Sequence, residues 1–511
     1  QILIDPSFKR YHIKAAKEKI KQIERFLQMK KRSLTFNTII YGFRTIINFL
    51  FPLITFPYAS RILSVDSMGK VNFSASIVSY FSLLAGLGIQ TFAVREGAKI
   101  REDRKKTSEF ASEIFTLNLI TTLLAYALFL LMLACNEKWH EYTGIMLIIS
   151  LTVPLTTIGM EWVFTIYEDF FYITVRSVIV QIAAIIFLFL FVKTDKDLYV
   201  YAVYTVFSAV GANILNIVLV HKHVDIRLHI SKKILPCMKP ILILFASTAA
   251  CQVYLYSDTT ILGYLTSDAD VAKYNAAVKV YNLVKNVLLV IGTVSMPRLA
   301  GLLSDENLDR YKGLFTKLFN VLILLIVPCV VGLIVVGKNA VVILAGARYV
   351  QAGTILQILS LAVPASILGS FVASAGLVLF GKEMLILKAT IAAALLNIVL
   401  NIILIPRVGV EAAAITTVLS ECLAFIIEYR VLQEKKIVSG IGKNMIQTVI
   451  ASAVMGIVCY GVLSCFGNSL IIGTACSVAA GVVIYALLLR LQKNEIFGEM
   501  YAKMKTKIVR K

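Results

Sequence analysis

Two lysines stand in an apolar stretch of the sequence between residues 274 and 295, where a membrane-spanning helix is expected. Lys279 lies between Asn275 and Asn282 at spacings of four and three residues, so these side chains share one face of a helix. Lys285 lies off that face. A charged group near the centre of a bilayer costs roughly 2.5–3.5 kcal/mol, and lipid cannot satisfy a polar stripe. The pattern therefore predicts a cationic face that meets a cavity or a polar ligand.

The first apolar segment shows the same pattern with arginine. Arg44 and Asn48 are one helical turn apart, and Pro52 and Pro57 follow. The prolines predict a break that leaves backbone groups and Arg61 free to meet a ligand. Two other interpretations stay open, because Arg44 can extend to the polar membrane surface and the prolines can form an ordinary kink.

An internal repeat relates these regions of the sequence. The run GKVNFSASIVSY resembles the run AKYNAAVKVYNL that begins 203 residues later. At this offset Asn72 matches Asn275, and Ser76 matches Lys279. A register kept without a gap predicts two copies of one fold, related by an axis along the membrane normal.

Acidic residues are sparse in the apolar segments. Asp258 lies near the end of the seventh segment and Glu161 near the end of the fourth, and both are candidates for binding a coupling ion, H⁺ or Na⁺. Asp258 is alternatively the counter-ion of Lys279, since a short loop joins their segments. The eight cysteines and five histidines show no metal-ligand spacing, so we expect neither a metal nor a cofactor.

The composition places the chain in a membrane. Of its 511 residues, 58% are hydrophobic and 16% are charged, which is more apolar sequence than a soluble core needs. Apolar windows of about 20 residues, each able to cross about 30 Å of hydrocarbon, occur about fourteen times. Most of the 51 lysines and arginines fall in the N-terminal segment and after even-numbered windows, which predicts both termini in the cytoplasm. Cytoplasmic loops rich in basic residues then explain the net charge of +21, and no nucleic-acid partner is expected.

We therefore expect an all-α polytopic membrane protein with two pseudo-symmetric six-helix bundles and two C-terminal helices around a central cavity. Residues 1–36 form a basic cytoplasmic segment, of which residues 1–28 need not be native because Met29 resembles a natural start. The expected divisions are helices 1–6 of the N-lobe at 37–220, a basic cytoplasmic linker at 221–240, helices 7–12 of the C-lobe at 241–431, and helices 13 and 14 with a basic cytoplasmic tail at 432–511.

The run FPYASRILSVDSMGKVNFSASIVSYFSLLAGLGIQTFAVREGAKIREDRKK resembles the opening of the polysaccharide transporter family. This family contains O-antigen and capsule flippases of the multidrug/oligosaccharidyl-lipid/polysaccharide exporter superfamily, and weaker similarity extends over nearly the whole chain from Met29. The resemblance implies alternating access that moves an undecaprenyl-pyrophosphate-linked oligosaccharide across the bacterial cytoplasmic membrane. The implied partners are this lipid-linked oligosaccharide, membrane lipids and, in the same process, a polysaccharide polymerase and glycosyltransferases.

The site residues suit such a ligand. Cations would bind the pyrophosphate and asparagines the sugar hydroxyls, with Lys279 and Arg44 facing each other across the cavity. The candidate substrate-binding residues are therefore Arg44, Arg61, Lys279, Asn48, Asn72, Asn275 and Asn282.

Other functions stay open. A multidrug cation antiporter of the same superfamily would favour a carboxylate on the first helix, which carries Arg44 instead. A flippase for peptidoglycan or teichoic-acid lipid precursors is a closer alternative. The sequence shows no catalytic constellation and no nucleotide-binding loop, so we expect a non-enzymatic transporter driven by an ion gradient or the membrane potential.

Overall fold

Helices account for all of the regular structure in the part of the chain that the computed structural model describes. The described residues are 34–135, 139–229, 235–303, 307–434, 437, 442–466 and 469–509. Of the predicted segment 1–36, only the last three residues fall within these ranges. Residues 230–234 of the predicted linker and residues 510 and 511 of the predicted tail also lie outside them.

The N-terminal half of the described chain contains nine α-helices. They are α1 (Leu34–Ile62), α2 (Val65–Gly86), α3 (Ile89–Gly97), α4 (Arg104–Cys135), α5 (Thr143–Ser150), α6 (Thr152–Gly159), α7 (Glu161–Ile166), α8 (Phe170–Phe191) and α9 (Leu198–Leu219). Helix α1 packs along α8, α2 packs against α4, and α9 packs against α6.

The C-terminal half contains ten α-helices among the described residues. They are α10 (Leu235–Leu265), α11 (Asp268–Ala300), α12 (Leu308–Ala345), α13 (Ala352–Ser360), α14 (Val363–Phe371), α15 (Glu383–Val408), α16 (Glu411–Glu434), α17 (Gly442–Cys465), α18 (Leu470–Leu491) and α19 (Glu495–Val509). A π-helical stretch, Val372–Val378, continues α14. Helix α15 packs against α10 and α16, and the α17–α18 hairpin packs against α12.

The prediction of an all-helical, multi-pass membrane protein is confirmed. Within the described ranges, 11 helices are long and apolar enough to cross a membrane, and the number rises to 12 if α13 and α14, bent by 45°, form one span. The predicted number of fourteen is not confirmed. Helix α1 is not among these spans, and the fourth predicted window is divided into α5, α6 and α7.

The internal repeat reappears in how two helices begin. Helix α2 starts after Ser64, whose hydroxyl accepts the backbone N–H of Ser67 at 3.1 Å. Helix α11 starts after Ser267, whose hydroxyl accepts the backbone N–H of Asp270 at 3.2 Å. These caps satisfy amide groups that a helix start leaves unpaired. They lie at the same offset as the matching sequence runs, so the register predicted from sequence also relates the two helix starts.

The two halves meet where α2 and α11 begin. We call this the outer end, because the predicted topology places it outside the cytoplasm. A Cβ atom at Gly69 would lie 1.9 Å from the backbone oxygen of Asp268, so only glycine permits this approach. Tyr142 donates a hydrogen bond to the Asp268 carboxylate at 3.0 Å, and Thr260 donates to Ser76 at 3.0 Å. The halves are therefore closed against each other at the outer end.

Candidate functional site

Glu161 holds two arginines in the N-terminal half. Met160 has a left-handed backbone conformation, φ 41°, which separates α6 from α7 and makes Glu161 the first residue of α7. One Glu161 carboxylate oxygen accepts from Arg44 Nη2 at 3.1 Å, and the other lies 2.8 Å from Arg176 Nη2. Arg176 is only 2% exposed and donates to the backbone oxygen of Ala212 at 3.0 Å. The three ionised side chains together carry one net positive charge.

Lys279 lies on the aromatic ring of Phe56. Its Nζ is 3.8 Å from the ring centroid, a cation–π contact between α11 and α1. Within the described ranges Lys279 forms no ion pair. It is therefore an uncompensated cation where the two halves meet.

Arg44 of α1 and Lys279 of α11 lie at different depths along the axis of α1, because Lys279 contacts α1 at Phe56. The twelve residues from Arg44 to Phe56 correspond to roughly 18 Å of regular helix, which is much longer than a pyrophosphate group. In this conformation the two cations therefore do not converge on one group. Arg44 belongs to α1, and Lys279 of α11 contacts a later position of α1, at Phe56.

Arg61 joins the halves at the outer end. Its Nη1 donates to the backbone oxygens of Pro57 at 2.7 Å and Leu344 at 3.1 Å, and its Nη2 donates to that of Ile343 at 2.5 Å. The last two acceptors belong to the final turn of α12, where a helix leaves carbonyl groups unpaired. In this conformation the guanidinium is bonded to protein, not free for a ligand.

The predicted helix break before Arg61 is wrong. Helix α1 is continuous to Ile62 and contains both Pro52 and Pro57. A proline removes one helical hydrogen bond and bends a helix without always ending it, particularly where neighbouring helices support it.

Two of the candidate asparagines, Asn275 and Asn48, form hydrogen bonds within the protein, and two, Asn72 and Asn282, do not form any with the described residues. Asn275 donates to its own helix backbone at 2.9 Å, and exposed Asn48 accepts from Gln181 at 2.7 Å. Asn72 is half-buried and Asn282 is exposed, and neither has a hydrogen-bond partner in the described ranges. Exposed amides within apolar helices require water or a polar ligand, so Asn48 and Asn282 have the better access to a ligand.

Asp258 is enclosed by neutral donors. It is 6% exposed, and its carboxylate accepts from Tyr274 at 2.5 Å, Asn401 at 2.5 Å and Thr417 at 2.9 Å. The counter-ion interpretation is therefore wrong in this conformation, because Lys279 is not among its partners. A buried carboxylate without a neighbouring cation is a place where H⁺ or a small cation can bind.

Arg176 was not among the residues that the sequence singled out. It is a lone arginine in the apolar run ITVRSVIV, and such an isolated charge was the available signal.

Comparisons with known proteins agree with this architecture. A family model described as polysaccharide biosynthesis protein matches residues 34–303, which is more than half of the chain. A putative O-antigen transporter of Shigella dysenteriae is 27% identical over 74% of this chain and 94% of its own length. A second, from Escherichia coli K12, is 28% identical over 78% of this chain and 96% of its own length.

A solved structure has the same fold. It is described as the lipid II flippase MurJ in an inward closed conformation, and it is 15% identical with a TM-score of 0.74 over 89% of this chain and 98% of that chain. This likeness concerns the fold alone. Together with the family match it confirms the resemblance first seen in the sequence: the chain belongs to the polysaccharide biosynthesis protein family.

Proposed function

We propose that the chain is a flippase that moves a polyprenyl-pyrophosphate-linked oligosaccharide from the cytoplasmic to the outer leaflet of the bacterial cytoplasmic membrane. Undecaprenyl is the carrier that the family resemblance implies, and both termini face the cytoplasm. The observation that carries the proposal is Lys279, a cation between the two halves that has no acidic partner among the described residues. A phosphate-bearing headgroup would neutralise it, whereas a neutral or cationic substrate would not.

The cations along α1 suggest a route for the headgroup. Arg44, in the net positive cluster, is the first position for a pyrophosphate that enters from the cytoplasmic side. Lys279 of α11, which contacts α1 at Phe56, is the second. Arg61 then holds the outer end closed until the halves separate there, while Asn48 and Asn282 offer amides to sugar hydroxyls.

The charge of the site argues against a multidrug cation antiporter. The cluster of Arg44, Glu161 and Arg176 is positive overall, and Lys279 adds a further positive charge. Both would repel an organic cation. Flippases for peptidoglycan or teichoic-acid lipid precursors remain the alternative, because such lipids also carry phosphate groups and differ mainly in the sugars.

We further propose that transport is coupled to an ion gradient through Asp258, without a cofactor and without enzymatic turnover. Moving one charge through 100 mV supplies about 2.3 kcal/mol, enough to bias an alternating-access cycle. Glu161 is the weaker candidate, because two arginines already neutralise it.

The test is transport by the purified protein in vesicles. Fluorescent polyprenyl-pyrophosphate oligosaccharide is placed in one leaflet, and its arrival in the other is followed with a membrane-impermeant quencher. We expect faster translocation than in protein-free vesicles, and little translocation of a fluorescent organic cation. Lipid II in a parallel experiment separates the glycan flippase from the peptidoglycan alternative. Transport of the organic cation alone would refute the proposal.

A further inference from the structure

A cavity lined by several ionisable side chains lies in the C-terminal half, separate from Arg44, Arg61 and Lys279. Its volume is about 280 Å³, and its walls come from α10, α11, α14 with its π-helical extension, α15 and α16. The ionisable side chains that line it are those of Cys251, Tyr254, Lys285, Glu421 and Glu428.

Two of these groups neutralise each other. Lys285 Nζ lies 3.6 Å from Glu421 Oε1, and Ser366 donates to the same oxygen at 3.1 Å. The ammonium therefore compensates one carboxylate of the cavity. If both glutamates are ionised, the cavity keeps one negative charge, and that charge belongs to Glu428.

Glu428 is the unpartnered group. It is 6% exposed, and in the described ranges it forms neither a hydrogen bond nor an ion pair. The Tyr254 hydroxyl, on the wall that α10 forms, also has no hydrogen-bond partner among the described residues. The lining residues of α14 and α15 contribute only hydroxyl groups and apolar atoms, among them Ser370 and Thr390.

We propose that Glu428 is a proton-binding site. A buried carboxylate without a partner is costly, and a proton removes the charge without requiring further ligands. A metal cation would need several oxygen ligands around it, whereas the second carboxylate of this cavity already pairs with Lys285. The site is distinct from Asp258, and its assignment does not depend on which substrate the chain moves.

The position of Glu428 gives the proton a role. On α16, Thr417 contacts Asp258, Glu421 follows one turn later, and Glu428 follows Glu421 by roughly 10 Å. Tyr254 precedes Asp258 by one turn on α10. A line of polar groups therefore leads from Asp258 to Glu428, and the predicted topology places Glu428 nearer the cytoplasm. If the proposed coupling through Asp258 holds, Glu428 is the proton-binding residue at the cytoplasmic end of a path that leads to Asp258.

The test is infrared difference spectroscopy of the purified full chain during a pH titration, with no glycan lipid present. We compare the unchanged protein with Glu428→Gln, which keeps the shape of the side chain, and with Asp258→Asn. We expect Glu428→Gln to lose one protonated-carboxyl band that Asp258→Asn retains. Thermal unfolding of each variant establishes that both are folded.

The proposal is overturned if the band pattern of Glu428→Gln matches that of the unchanged protein. It is also overturned if NaCl at fixed pH removes the Glu428 band, because the site would then prefer Na⁺. Since the measurement contains no substrate, it is independent of whether the chain flips a glycan lipid.

Discussion

Removal of the Arg61 guanidinium should loosen the outer end of the molecule. Arg61 donates two hydrogen bonds across the halves, to Leu344 and Ile343 of α12. Arg61 is exposed, so water competes for its donors and each bond is worth about 0.5–1 kcal/mol net, below the roughly 1.5–3 kcal/mol of a charge-assisted bond. Arg61→Ala should therefore weaken the closed state by about 1–2 kcal/mol. This corresponds to a fivefold to thirtyfold change in the ratio of closed to open molecules.

Double electron–electron resonance measures this ratio directly. Spin labels at Lys196→Cys and Gln351→Cys, in a background without the eight natural cysteines, report the separation of the two halves at the outer end. Both positions are exposed. Arg61→Ala should increase the fraction of long distances, whereas the control Lys193→Ala, a nearby exposed cation, should not. An unchanged distribution in Arg61→Ala would refute the assignment of Arg61 to the closure.

Three further predictions concern packing, capping and buried charge. Gly69→Ala should prevent outer closure, because its Cβ would meet the Asp268 backbone at 1.9 Å. The control Gly86→Ala, whose Cβ would have no described atom within 4 Å, should leave the same distance distribution unchanged. Ser64→Ala and Ser267→Ala should each cost about 1 kcal/mol in the free energy of unfolding, and a clearly unequal loss would contradict equivalent caps. Glu161→Gln should lower the free energy of unfolding by about 1–3 kcal/mol, because it leaves the buried Arg176 without its carboxylate. Adding Arg176→Met should recover stability in thermal unfolding, and a further, additive loss in the double variant would argue against coupling between the two residues.

The helices and the repeat could be predicted from the sequence because both depend on local patterns, namely the helical spacing of apolar residues and the match between two runs 203 residues apart. The N-cap serines before α2 and α11, Ser64 and Ser267, lie at the same offset, so the register of the repeat could also be predicted. The separation of α6 from α7 could not be predicted, since it depends on a left-handed backbone at Met160, a residue type without a preference for that conformation.

The partners of the site residues were the least predictable part. Arg61 reaches backbone atoms more than 280 residues away, and Asp258 meets donors from α15 and α16. Periodicity shows which helix face a residue occupies, but not which distant helix covers that face. The continuity of α1 through its prolines likewise depends on tertiary support.

The role of Lys279 is tested most directly by comparing two lysine variants of α11 in the vesicle transport assay. Lys279→Ala removes the uncompensated cation, while Lys273→Ala removes a lysine that pairs with Asp270 on the same helix at 3.3 Å. A lost charge-assisted contact of about 1.5–3 kcal/mol predicts that Lys279→Ala slows glycan-lipid translocation by about tenfold or more, with Lys279→Arg recovering part of the rate. Lys273→Ala should keep nearly the full rate. Translocation by folded Lys279→Ala at the rate of the unchanged protein would contradict the assignment of Lys279 as the anion-binding residue.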